Sequence, residues 1–298
     1  MHLPVRRPAA GRRTARVKRA SFWISRTRLL AALLLVAVSG AFYWVTMAPQ
    51  FALNDGKVTI DGAHFTDPAV IRSTIGLPEG ASPNLFRLRT QEMRQALEAL
   101  PPVLSAEVSA MLPDRLSIVL HERSPIFVWR AGASPWLADV TGVLFAPPSP
   151  GADPAEAALP VIADERTDQP AIQAGSHLDA LDLETARVLG ALTPEQVGSA
   201  AHSLALSVDD ADGWVLTADT GWRAVFGRYT PVLHTAAEIP QQVQCLRSLL
   251  LNREAEVATI TLAVGPDRCG TYLPLAAPSP GRTSIPGRTA APSHSSAP

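Results

Sequence analysis

The longest uninterrupted apolar run in the chain lies near its amino terminus. It spans Leu29–Met47, and no charged residue occurs between Arg28 and Asp55. At a rise of about 1.5 Å per residue, about twenty such residues cross a hydrocarbon core roughly 30 Å thick. We therefore predict a transmembrane helix at residues 29–48. A cleaved secretory signal is the alternative, but its apolar region is usually only about 7–15 residues long.

After a short tether at residues 48–57, the pattern predicts a small α+β unit at residues 55–124. Three segments are β-prone or alternate between apolar and polar residues, which predicts strands at 58–60, 103–111 and 115–122. Two others carry apolar residues three and four positions apart, which predicts helices that begin after Asp67 and at Thr90. The order is β-α-α-β-β, and both helices can bury their apolar faces on one side of a three-stranded sheet.

The next part of the chain is mainly β in character. Short alternating segments separated by turns predict a β-rich domain with flanking helices over residues 125–275. Its last helix begins at Pro240, and its last strand is predicted at Ala258–Val264. Residues 276–298 are rich in Pro, Ser, Gly, Ala and Thr and have almost no large apolar side chains, so we predict a disordered tail.

Charge is distributed very unevenly along the chain. Residues 1–28 carry nine of the 26 basic residues and no acidic one, which predicts a cytoplasmic tail that contacts anionic lipid. Nucleic acid is the competing partner for such a tail, but the apolar run directly behind it makes lipid the simpler one. Beyond the apolar run, 17 basic residues stand against 27 acidic ones, a net charge of −10, which argues against nucleic-acid binding.

No motif in the sequence predicts a catalytic, metal or cofactor site. The histidines are scattered, and none pairs with another His or Cys at the spacing of zinc ligands. Asp210-Ala-Asp212-Gly213 is similar to part of a calcium loop, but Gly221 stands where that loop needs a glutamate, so we predict an acidic turn. The sequence also lacks a Gly-x-Ser-x-Gly elbow, a Walker loop and a dinucleotide fingerprint.

The two cysteines, Cys245 and Cys269, allow two interpretations. Outside the cytoplasm they could form one disulfide, or both could remain buried thiols, since the sequence does not give their separation. Cys269 as the nucleophile of a wall-modifying enzyme would need a nearby base, and its neighbours offer Arg268 but no histidine motif.

Glu122 and Arg123 end the third predicted strand and form the most conspicuous charged pair. We interpret them as residues that cap this strand and orient the junction between the two domains. The alternative is a docking contact for a membrane-embedded or exported partner.

Several apolar, turn and charged positions recur in one order along residues 100–145. They are Leu100-Pro101, Val103, Ala106, Val108, Pro113, Leu116, Ile118, Glu122-Arg123-x-Pro125, Trp129, Asp139 and Gly142-Val143-Leu144-Phe145. This set resembles the POTRA domain and following strands of the bacterial cell-division proteins called FtsQ or DivIB. Gly62, the loop from Gly80 to Phe86 and the single anchor behind a basic tail agree with the resemblance.

The resemblance implies a non-enzymatic bitopic scaffold that links early and late septal proteins and regulates septal wall synthesis through contacts. It also implies a single-pass protein of the cell membrane, expected at the division septum, whose partners include FtsB/DivIC-like and FtsL-like coiled-coil proteins and other septal membrane proteins. In the family, the coiled-coil partners pair with the last strand of the β domain by β-augmentation. Carried over to this chain, the docking residues are Thr259, Ile260, Thr261, Leu262 and Ala263, with Tyr272 nearby.

Two other functions fit the same pattern of elements. A POTRA-bearing membrane protein of an export pathway would bind unfolded polypeptide. A wall-modifying enzyme would depend on Cys269. A fluorescent fusion separates division from export, because a division protein collects at midcell whereas an export protein gives an even peripheral signal.

Overall fold

The computed structural model describes residues 26–151, 154–232, 234–263 and 268–275. Most of the predicted basic tail and all of the predicted carboxy-terminal tail lie outside these residues. The described residues form one long apolar helix, a three-stranded sheet with two helices, and a ten-stranded sheet with flanking helices. This architecture confirms the predicted α+β fold class.

The first helix, α1, spans Arg26–Met47. Its 22 residues have a mean hydropathy of 2.1 in the most apolar window, and none of that window is buried against the rest of the protein. Such a large exposed apolar surface is unfavourable in water. By its length and composition α1 could cross a membrane, which suggests a single-pass membrane protein.

The three-stranded sheet and its helices follow in the predicted order. The elements are β1 (Val58–Asp61), α2 (Pro68–Thr74), α3 (Thr90–Glu98), β2 (Val103–Met111) and β3 (Arg115–Glu122). The sheet order is β1-β3-β2, with β1 parallel and β2 antiparallel to β3. Its core joins Ile71 of α2 and Leu97 of α3 to Leu116 and Ile118 of β3, all of them fully buried.

The two helices of this unit begin differently. Asp67 caps α2, since its side chain accepts a hydrogen bond from the Ala69 amide, and Pro68 takes the first helical position, where its missing N–H is not needed. Thr90 is the first residue of α3 and does not cap it, and Arg89 at the cap position makes no side-chain cap hydrogen bond. The negative charge of Glu92 in the first turn instead favours the helix dipole.

The larger sheet contains the remaining strands and helices. The strands are β4 (Pro125–Ala131), β5 (Ser134–Asp139), β6 (Val143–Ala146), β7 (Val161–Asp164), β8 (Ser176–His177), β9 (Leu204–Asp209), β10 (Gly213–Ala218), β11 (Arg223–Gly227), β12 (Val257–Leu262) and β13 (Gly270–Pro274). The helices are α4 (Pro154–Ala157), α5 (Ala180–Gly190), α6 (Pro194–Val197) and α7 (Ile239–Leu250). The strand order is β13-β12-β11-β10-β9-β7-β4-β5-β6-β8.

The two faces of the larger sheet are covered by different parts of the chain. Helices α5 and α7 contribute Leu189 and Leu246 to one large apolar core that also contains Trp129 and Trp222. A smaller cluster that includes Phe145 is covered instead by Phe65 of the first unit. The junction between the two units is therefore built around this second cluster.

Candidate functional site

The strand predicted to end the larger sheet lies inside it. β12 pairs in parallel with β11 through Thr259–Thr261 and antiparallel with β13 along nearly its whole length. The strand predicted to be the last one, which carries the predicted docking residues Thr259, Ile260, Thr261, Leu262 and Ala263, is therefore followed in the sheet by another strand, β13. From Thr259 to Thr261 the strand is paired on both sides, so this part of β12 offers no free edge for another strand.

The side chains of β12 also differ from a docking surface. Ile260 is 0% exposed and Leu262 is buried, both in the core beneath α7. Thr261 is exposed, whereas Thr259 and Ala263 are half-buried. Since successive side chains of a strand point to opposite faces, Ile260 and Leu262 stabilise the fold, and Thr261 lies on the other face.

The open edge at this end of the sheet belongs to β13. Within the described part of the chain, β13 pairs with β12 alone. Its residues Thr271, Tyr272 and Leu273 are exposed, and the Arg253 guanidinium lies 5.9 Å from the centre of the Tyr272 ring. Of the predicted docking residues, Tyr272 is the one that lies on this edge strand. Sequence reasoning missed β13 because it is short, begins at a glycine and ends at a proline, so it shows little alternation.

The register of β13 indicates which backbone groups face the open edge. Ala263 and Cys269 form a hydrogen-bonded pair, since the Ala263 amide donates to the Cys269 carbonyl at 3.3 Å. Further along the ladder, Thr261 lies opposite Thr271, and Ile260 lies opposite Tyr272. In an antiparallel ladder, hydrogen-bonded and non-hydrogen-bonded pairs alternate. This alternation turns the N–H and C=O of Tyr272 away from β12 and toward the edge.

The two cysteines form a disulfide that fastens the start of β13. Cys245 lies in α7 and Cys269 immediately precedes β13, with their Cα atoms 5.0 Å apart. A disulfide sulfur is not the thiolate that nucleophilic catalysis requires. In this structure Cys269 therefore holds the edge strand against α7 and does not present a reactive thiol.

Glu122 lies at the junction between the two units. Its carboxylate accepts hydrogen bonds from the backbone amides of His64, Phe65 and Thr66 at 2.7, 2.6 and 2.9 Å. These amides follow β1, so the end of β3 is tied to the loop that leads into α2. The adjacent Phe65 ring packs edge-to-face on Phe145 of the larger sheet, with ring centres 5.2 Å apart.

Arg123 binds both units at once. Its backbone amide donates to the Pro102 carbonyl at 2.8 Å and its Nε to the Pro101 carbonyl at 2.9 Å, while Nη1 contacts Asp139 of β5 at 2.5 Å. Burial raises the pKa of Asp139, but hydrogen bonds from Thr141, Arg123 and two backbone amides outweigh it and lower the pKa overall. These contacts support the interpretation of Glu122 and Arg123 as junction residues. Phe65 escaped sequence reasoning, because a single aromatic residue in a loop carries no periodic signal.

The acidic, histidine and cysteine side chains of the described residues do not gather into a metal site of three or more ligands. In the acidic turn at the end of β9, the Asp209 carboxylate accepts hydrogen bonds from two nearby backbone amides, and Asp210 accepts one from the Thr167 amide. Asp212 forms an ion pair with Arg223 at 2.7 Å. These carboxylates are therefore used within the protein.

Comparison with known proteins identifies the smaller unit. A family model described as the POTRA domain of the FtsQ type matches residues 53–123. This segment contains all five elements of the three-stranded unit and the junction residues Glu122 and Arg123.

Curated relatives extend the similarity beyond this domain. A cell division protein FtsQ of Burkholderia pseudomallei is 31% identical over 122 residues, which cover 41% of this chain and 46% of the relative. An FtsQ of Chloroflexus aurantiacus is 28% identical over 205 residues, covering 67% of this chain and 70% of the relative. An FtsQ of Corynebacterium glutamicum is 35% identical over 98 residues, which cover 33% of this chain and 41% of the relative. The match thus spans less than half of the first and third relatives. The smaller unit thus matches a POTRA domain of the FtsQ type, and the chain beyond it is similar to bacterial proteins that carry the name cell division protein FtsQ.

Proposed function

We propose that the protein is a non-enzymatic scaffold of the division machinery that binds coiled-coil partners through the open edge of β13. It would link early and late septal proteins and regulate septal wall synthesis through such contacts. The observation that carries the proposal is the exposed β13 strand, whose outer backbone groups pair with nothing in the described part of the chain. An unpaired edge of this kind is a template for a strand of another chain.

Partners of the FtsB/DivIC and FtsL types would supply an extended segment next to their helical part. That segment would add an eleventh strand beside β13, the backbone supplying affinity and alternate side chains supplying register. Tyr272 and Leu273 would present the side-chain contacts, because they are the large exposed residues of this strand. The core residues Ile260 and Leu262 would act by holding β12 in place.

The membrane arrangement completes the proposal. With the basic residues before α1 held at the cytoplasmic face on anionic lipid, the POTRA domain and the larger sheet would lie outside the cytoplasm. The protein would collect at the septum together with other septal membrane proteins. The disulfide between Cys245 and Cys269 fits this placement, since such bonds persist in oxidising compartments.

A pair of substitutions at Tyr272 tests the edge directly. Tyr272→Ala removes the ring and keeps the N–H, whereas Tyr272→Pro removes both and is tolerated where the N–H faces away from the sheet. We expect Tyr272→Pro to abolish co-purification of the coiled-coil partners and to leave the protein in the membrane fraction. Tyr272→Ala should weaken co-purification without abolishing it.

Localisation provides the second measurement. A fluorescent fusion of the parent should collect at midcell, and the Tyr272→Pro fusion should fail to recruit the coiled-coil partners there. Co-purification that is equal for the parent and the Tyr272→Pro variant would refute docking at β13. An even peripheral signal from the parent would instead favour an export function.

A further inference from the structure

The segment between α1 and the POTRA domain is built into the domain. Ala48 is buried, and Leu53 is buried in the POTRA core. The Leu53 amide donates to the Pro83 carbonyl at 2.9 Å, and Ala52 forms a β-bridge with Asn84. The sequence predicts a short tether at residues 48–57, and in the structure these contacts leave the domain little freedom relative to α1.

Asn84 joins the end of α1 to the POTRA loop. Its Nδ2 donates to the carbonyls of Val45 and Ala48 at 3.5 and 3.4 Å, and its Oδ1 accepts from the Phe86 amide at 3.0 Å. The last carbonyls of a helix have no partner within the helix, so a side chain that binds them fixes the direction in which the chain leaves the helix. The loop at 84–87 therefore lies directly at the end of α1.

This arrangement brings aromatic and basic groups to the end of the anchor. The rings of Phe51 and Phe86 meet edge-to-face at 5.1 Å, and Phe86 remains 48% exposed. The Arg87 Nη2 lies 3.7 Å from the Met47 sulfur, and within the described residues Arg87 forms no ion pair. Trp44, on the last turn of α1, is exposed, and such rings prefer the headgroup layer of a membrane.

We propose that Phe51, Phe86 and Arg87, which we call the anchor-side face, dock on the phospholipid headgroups of the leaflet where α1 leaves the membrane. A guanidinium can bind a phosphate through two parallel hydrogen bonds, and an exposed aromatic ring next to it enters the boundary between headgroups and chains. The continuity with α1 identifies the occupant as lipid, because the last residue of the anchor contacts Arg87. The inference rests on α1 crossing a bilayer and is independent of which partner binds β13.

Lipid quenching of a tryptophan placed at Phe86 tests this face. The full-length chain would be reconstituted in nanodiscs of phosphatidylcholine and phosphatidylglycerol brominated near the top of the acyl chains. The test variant is Phe86→Trp in a Trp44→Phe background. The matched control is Val140→Trp in the same background, since Val140 is also exposed, at 61%.

Val140 suits the control because it follows β5 of the larger sheet and lies near the end of β3 that is remote from α1. It follows Asp139, which binds Arg123 just beyond the last residue of β3. The chain arrives from α1 beside the first residues of β3, which pair with β1 from Val58 onward. Eight residues at about 3.3 Å each separate the two ends of β3 by roughly 26 Å.

The outcomes are distinct. We expect the emission added by Phe86→Trp to be largely lost in brominated nanodiscs, and that added by Val140→Trp to be unaffected. Equal, weak quenching at both positions would overturn the proposal. The part of the emission that Trp44→Phe removes from the unsubstituted chain should itself be quenched, which reports that α1 has inserted, so failed anchoring is distinguishable from failed docking.

The charge is tested in the same sample. Arg87→Gln added to the Phe86→Trp variant should reduce quenching in nanodiscs that contain phosphatidylglycerol. High salt should also reduce quenching of the Phe86→Trp variant that keeps Arg87. Arg130→Gln is the control, because Arg130 is an exposed arginine of β4 in the larger sheet. Quenching that does not respond to Arg87→Gln would overturn the headgroup contact.

Discussion

Glu122 provides the sharpest test of how the POTRA domain is joined to the rest of the protein. Its carboxylate accepts hydrogen bonds from three consecutive backbone amides, those of His64, Phe65 and Thr66. In Glu122→Gln, one oxygen can still accept hydrogen bonds from the first two amides, but without the negative charge. The new NH2 group faces the third amide, so two donors oppose each other.

The expected loss depends on the chemistry of these contacts. A hydrogen bond to a charged group contributes about 1.5–3 kcal/mol, and a neutral one contributes about 0.5–1.5 kcal/mol. Because Glu122 is only half-buried, hydrogen bonds to water replace part of the lost stabilisation. Two weakened bonds and one lost bond then destabilise this loop by about 2–4 kcal/mol. At about 1.4 kcal/mol per factor of ten, the opening equilibrium shifts by roughly 30- to 700-fold.

Amide hydrogen exchange measures this shift at the donors themselves. We expect protection of residues 64–66 to fall by that factor in Glu122→Gln, with a smaller decrease at Phe145, where Phe65 packs. Glu107→Gln is the matched control, because Glu107 is an exposed residue of the same sheet and its side chain forms no hydrogen bond or ion pair within the described residues. Unchanged protection at 64–66 in Glu122→Gln, or an equal change in Glu107→Gln, would refute the role assigned to the carboxylate.

Three further predictions concern stability, measured as the free energy of unfolding in urea. The pKa of Asp139 is lowered below its ordinary 3.8, so its ionised form stabilises the folded state at neutral pH, and this stabilisation is lost as the pH falls through the lowered pKa. Asp139→Asn should therefore cost about 1–3 kcal/mol at pH 7 and little in strong acid. The cost should be smaller, but not zero, when Arg123 is already replaced, because Thr141 and two backbone amides still bind Asp139. Ile260→Ala should destabilise the protein by about 2–5 kcal/mol, because Ile260 is fully buried, whereas Thr261→Ala on the exposed face should change stability by less than about 0.5 kcal/mol. Cys269→Ser should lower the free energy of unfolding by about 2–4 kcal/mol, since the disulfide closes a loop with a sequence separation of 24. Reductant should lower the free energy of unfolding of the parent to that of the variant. A parent whose stability does not respond to reductant would contradict this prediction.

The amino-acid sequence by itself was enough for the local features of this protein. The apolar run that forms α1, the strands at 103–111 and 115–122, and the proline start of α2 depend on hydrophobic period and turn chemistry, which are properties of neighbouring residues. The family resemblance rested on the same short-range patterns around Glu122 and Arg123. The structure contains these features at the predicted positions.

The tertiary structure alone decided which groups are available to a partner. Whether β12 or β13 has a free edge depends on strand order, and strand pairing joins residues whose separation the alternation pattern does not encode. The same holds for the contacts of Asn84 with the end of α1 and of Phe65 with Phe145, which join distant segments through single side chains. Periodicity reports which face of an element is apolar, but only the packed chain determines what covers that face and which edge remains open.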